Sequence, residues 1–194
     1  MNKDEVLEGL YNYLNINLPQ QALNLILKND IRVENFFAIH SGVYLEILLQ
    51  QNQIQSFSFQ HTILLENPRR AHIDIMFIDA NQEVTYLELK HFSISQNRGP
   101  GRRLSFYTSN SLEGKKVGIV GDCVKLDNLR NGGFIDNDIN LVCCAFITQR
   151  PTLEQYNGMV QVFQNYPETA DWNLVLPVPF EIQSPIFGIF TLQK

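Results

Sequence analysis

The chain has little cysteine, and none of it at a metal-binding spacing. Cys123, Cys143 and Cys144 are the only three in 194 residues. With no CxxC pair and no Cys/His spacing, nothing suggests a zinc site. The number is odd and two are adjacent within an apolar run. They read as small buried hydrophobes in a reducing compartment, with Cys143 and Cys144 on opposite faces of one strand. Long apolar runs are also missing. None approaches 18 residues, so no membrane span is expected, and the N-terminus carries no signal-peptide pattern. A cytoplasmic protein is the default expectation. Internal repeats, low-complexity tracts and interdomain linkers are absent as well. A single domain over 1–194 follows, with a helical N-terminal flank at 1–30 and an α/β core at 31–194.

Positive charge is in deficit too. The net charge is −5, so the molecule as a whole does not advertise nucleic-acid binding. Its distribution says more. Residues 90–116 hold Lys90, Arg98, Arg102, Arg103, Lys115 and Lys116 against Glu113 alone, a local charge of +5 on a body carrying −10. Such a segment on an acidic body fits one phosphate-facing edge, or a solvated basic loop. Hydrophobic residues at 44% and charged residues at 18% fit an ordered globular chain.

The most informative stretch is 71–92, AHIDIMFIDANQEVTYLELKHF. Two short apolar runs rich in β-branched and aromatic residues flank Asp79-Ala80-Asn81-Gln82-Glu83, which has turn chemistry. A hairpin centred on Asn81 pairs Asp74 with Glu88, His72 with Lys90, Met76 with Tyr86 and Ile78 with Val84. Alternation puts these pairs on one face and Ile73, Ile75, Phe77, Leu87 and Leu89 on the other. Two carboxylates and an amine on a covered hairpin are costly to desolvate unless paired or bound to a cation. An even-length turn would send the two acids to opposite faces.

An apolar strand carrying Asp74, a turn, and an apolar strand carrying Glu88-Leu89-Lys90 resembles the PD-(D/E)XK nuclease superfamily. The resemblance covers roughly residues 41–150, with Ile73 standing where the family's name has Pro. It implies a restriction-endonuclease-like core, a central mixed sheet flanked by helices. It implies Mg²⁺ or Mn²⁺ held by Asp74, Glu88 and the Leu89 carbonyl, with Lys90 orienting the attacking water. A helix acid often completes such a site, and Glu46 is placed for it, with Glu34 the second candidate if that helix is continuous. Glu46 also fits an ordinary exposed helix glutamate. The implied partner is nucleic acid, DNA first. Pairing of two copies stays open, because nucleases that cut both strands often pair up.

The remaining chain reads as a frame for this hairpin. Residues 3–14 and a stretch after Pro19 have helical spacing. Residues 31–51 do too, with a break near Ser41-Gly42. Residues 54–65 read as the first strand. Arg69, Arg70 and His72, near Asp74, fit phosphate contact or plain surface and structural roles. Arg98, Arg102 and Arg103 fit a basic loop closing over a bound strand, where Phe106 and Tyr107 stack on bases or anchor the loop. A helix capped near Asp122 should end at Asn131-Gly132-Gly133. Ile139 to Thr148 reads as a buried central strand. A helix at 153–163, a strand at 172–178 and an edge strand at 186–192 complete the pattern. Two alternatives accompany the nuclease reading. One is a nuclease-fold protein that binds without cutting. The other is a helical-cap interaction module whose hairpin charges are incidental; the plain reading of those charges is a salt-bridged hairpin, with Lys90 neutralised by Asp74 and Glu88 and no metal held.

Overall fold

The computed structural model describes residues 1–18, 21, 25, 33–66, 69–92, 118–147, 167–175 and 188–194. Its framework is a six-stranded mixed sheet: β1 (Ile54–Leu64), β2 (Arg70–Asp79), β3 (Val84–Phe92), β4 (Asn140–Ile147), β5 (Asn173–Val175) and β6 (Gly188–Gln193). The spatial order is β1-β2-β3-β4-β6-β5. All neighbours are antiparallel except β3 and β4, which run parallel from Thr85↔Asn140 to Phe92↔Ile147. Parallel neighbours need a crossover, and helix α3 (Gly118–Asn131) lies on that path. The chain is thus an α/β protein, as its pattern of elements predicts.

Helices cover both faces. On one face α1 (Lys3–Asn17) and α2 (Val33–Gln50) bury Leu10, Leu14, Phe37 and Leu45 against Ile75, Phe77, Leu87, Leu89 and Phe146. The Phe37 and Phe146 rings stack at 4.2 Å. On the other, α3 buries Ile119, Cys123, Leu126 and Leu129 against Tyr86, Leu141, Cys143 and Ala145. Cys143 and Cys144 therefore serve opposite faces, and all three cysteines are buried and free. Among the described residues, no helix is long and apolar enough to cross a membrane.

The hairpin turn is built by Asp79. Its Oδ1 accepts from the amides of Asn81 at 2.8 Å and Glu83 at 3.0 Å, while Gln82 takes φ 70°. That fixes an odd loop and the register Ile78↔Val84, Met76↔Tyr86 and Ile75↔Leu87, as the sequence predicts.

Three expectations need correction. Residues 31–51 do not break at Ser41-Gly42. Helix α2 runs through, because Ser41 is buried and Gly42 leaves room for the Phe59 ring. Asp122 is not a cap, since α3 begins at Gly118 and carries Asp122 in its second turn. Strand β6 is not an edge strand; it lies between β4 and β5. Helix α1, the expected N-terminal flank, packs into the core. A capping box of Asn2 and Glu5 starts it, Val6, Leu7, Leu10, Tyr11 and Leu14 enter the main core, and the Met1 ammonium donates to Gln53 O at 2.9 Å. The helix predicted at 153–163 lies outside the described residues.

Candidate functional site

The hairpin is regular only near its turn. Pairing of β2 with β3 stops at Ile75↔Leu87, whereas β3 stays paired with β4 to Phe92. The two strands fork where Asp74 and Glu88 sit. Across the fork, Asp74 Oδ2 accepts from the Leu89 amide at 2.8 Å. The carboxylate stands where a backbone carbonyl of β2 would have been. A strand residue's N–H and C=O point to the same side, so the Leu89 carbonyl looks into the fork as well.

A second irregularity lies opposite. Gln60, facing Asp74 across β1, takes φ 48° and donates weakly to Asp74 Oδ1 at 3.4 Å. Left-handed backbone at a non-glycine residue re-aims a strand. Beyond this point the faces exchange. Ile75 and Phe77 pack toward α1 and α2, but Ile73 and Ile63 join the α3 cluster. The expected pairing of Ile73 with Leu89 and of His72 with Lys90 is therefore not made. His72 is exposed, with Nδ1 at 3.2 Å from Thr62 Oγ1.

Glu88 is the most buried acid of the cluster, 4% exposed. Its Oε1 meets the Lys125 ammonium at 2.5 Å, and Lys125 also donates to His72 O at 3.1 Å. The Glu88 carboxyl is pushed up to about 8, by burial first and by the charges of Asp74 and Asp122, against the downward pull of Lys125. That coupling places Asp74 and Glu88 within one electrostatic neighbourhood.

Lys90 is held between two helices from opposite faces of the sheet. Its ammonium is 3.4 Å from Glu34 of α2 and 3.4 Å from Asp122 of α3. Burial lowers its pKa, but Asp122 and Glu34 more than reverse this, so it remains an ammonium. Asp122 is itself shifted upward by burial, against the pull of Lys90 and Lys125. The idea that Asp74 and Glu88 neutralise Lys90 is thus replaced by two separate pairings, Lys90 with Glu34 and Asp122, and Lys125 with Glu88.

The helix acid in contact with the cluster is Glu34, not Glu46. The two are about 18 Å apart along a continuous α-helix. Glu46 is exposed, accepts from Gln50 at 3.0 Å, and lines a cavity of about 770 Å³ with Ile39, Val43 and Phe59. Arg69 and Arg70 are exposed at the far end of the β1–β2 ribbon. Arg98, Arg102 and Arg103, with Phe106 and Tyr107, lie outside the described residues. The segment carrying them joins β3 to α3.

Sequence reasoning missed Asp122 and Lys125. Residues three apart on a helix are neighbours on its surface. An Asp and a Lys at that spacing mark one polar edge of the helix, but the local pattern does not say which strand that edge meets.

The donor set suits a hard cation. Asp74, Glu88 and the Leu89 carbonyl offer oxygen only. Among the described residues no group of three or more His, Cys, Asp or Glu is arranged to hold a metal. Mg²⁺ needs no such cage; it keeps several waters and takes one or two carboxylates plus substrate phosphate. Comparisons of the chain with protein-family models, with curated proteins and with solved structures found no match.

Proposed function

We propose that the protein is a divalent-metal-dependent nuclease that hydrolyses phosphodiester bonds, DNA first, at the fork between β2 and β3. One observation carries this reading: the Asp74 carboxylate bridges to the amide directly after Glu88, where pairing ends. It supports a site in which Asp74, Glu88 and the Leu89 carbonyl would share one ion near Lys90, as the Asp…Glu-x-Lys resemblance implies.

Mg²⁺ or Mn²⁺ bound there would polarise a phosphoryl oxygen and lower the pKa of a bound water. The chain supplies the rest. The Leu89 amide fixes Asp74. The β3–β4 ladder continues through Glu88 and Lys90, so both stand on a rigid strand. Lys90, kept charged by Glu34 and Asp122, orients the incoming water and offsets charge gathering on phosphorus.

Cleavage of plasmid and of single-stranded oligonucleotides with Mg²⁺ or Mn²⁺ tests the proposal. The intact protein should cut, and Asp74→Ala and Glu88→Ala should each fall to background while melting cooperatively. Cutting that survives both changes would refute it.

A second reading has its own support. Both lysines of the cluster are engaged with carboxylates, and the chain is acidic overall. This favours a nuclease-fold protein that binds nucleic acid or a protein partner without cutting. Salt-dependent binding with no cleavage under any divalent ion would select it.

A further inference from the structure

The Lys125 ammonium touches two oxygens of different origin, Glu88 Oε1 at 2.5 Å and the His72 carbonyl at 3.1 Å. A carboxylate oxygen and a peptide oxygen are also what a hard divalent ion selects. The two partners of this ion pair differ in freedom. The Glu88 side chain is 5% exposed, whereas that of Lys125 is 35% exposed. The acid is fixed in the sheet; the base arrives from the rim on a flexible four-carbon stem. Lys90 differs, because Glu34 and Asp122 grip it from two sides.

We infer that Lys125 is the built-in counter-cation of the site: its ammonium holds the place of a divalent ion against Glu88, and metal binding expels it. This rests on the metal-site reading above and adds what sets the affinity there. An ammonium within a few ångströms of a divalent ion repels it, and both compete for the same Glu88 oxygen. The metal-free protein thereby keeps a buried carboxyl partnered, and metal enters only by displacing a charge of like sign.

The test is Mg²⁺ binding by calorimetry on the full chain, at one fixed pH of about 8.5, with thermal melting as the folding control. Lys125→Met removes the charge. Lys125→Gln removes it while still donating to Glu88, and serves if the methionine variant does not fold. Both neutral variants should bind Mg²⁺ about tenfold tighter or more. Lys125→Arg should stay as weak as the parent, and Glu88→Gln should bind none. Equal or weaker binding in the neutral variants, with parental binding still lost in Glu88→Gln, overturns the counter-cation role and leaves the metal site standing. Absence of binding in every natively melting variant overturns both.

Discussion

Glu88 shows how one buried side chain ties stability to pH. Its ordinary value is 4.5, and burial lifts it to about 8 in the folded chain. Between those values the folded state keeps a proton that the unfolded state has released. The associated stability is fully present below the ordinary range and is lost as pH rises through about 8. Denaturant midpoints taken with chelator present, from about pH 5 to about pH 9, should therefore fall in the parent relative to Glu88→Gln. The difference should reach a few kcal/mol at the alkaline end. Parallel curves would show that Lys125 alone satisfies the ionised carboxyl. The register near the turn was legible at this scale, because Asp79 and the Asn81-centred turn fix parity, but the expected pairing of Asp74 with Glu88 is not made, since the ladder stops at Ile75↔Leu87. The partners of those acids were not legible. Nothing in the local pattern around Asp122 or Lys125 says that α3 lies over the fork, so an acid in the second turn of a helix passes for a cap.

At the level of elements, the site depends on two strands parting rather than on two strands pairing. Sequence pattern reports which residues alternate, but not where a ladder ends. The left-handed Gln60 carries no glycine to betray it, so the exchange of faces at Asp74 was invisible. The helices were legible as periods but not as packed pairs. Gly9 of α1 is an example: a Cβ there would collide with the Tyr44 hydroxyl and sit 3.0 Å from its Cζ. Tyr44 is 7% exposed, so its ring has little room to move aside. Gly9→Ala should gain up to about 1 kcal/mol of helix propensity and lose about 1–3 kcal/mol to overpacking. The expected outcome is a lower urea midpoint with an unchanged slope. A higher midpoint would mean that α1 shifts freely on α2, contrary to its place in the shared core.

For the whole molecule, the proposed function raises the question of how an acidic protein would approach a polyanion. The +5 of residues 90–116 runs from the Lys90 end of β3 to the chain entering α3, against −10 elsewhere. At its start, Lys90 is in contact with Asp122 of α3. If the segment supplies the phosphate contacts, binding is weak, steep in salt and confined to one edge. Each neutralised phosphate of duplex DNA adds about −0.9 to the slope of log K against log salt. Replacing Arg98, Arg102 and Arg103 with serine should then flatten the slope by up to about 2.7, measured by fluorescence anisotropy on a labelled duplex. The fork carboxylates should contribute with opposite sign: Asp74→Asn, in chelator, removes a negative charge facing the backbone and should strengthen binding while abolishing cleavage. A slope unaltered by the three serines would move the nucleic-acid surface to the exposed Arg69–Arg70 end of the β1–β2 ribbon, away from the basic segment.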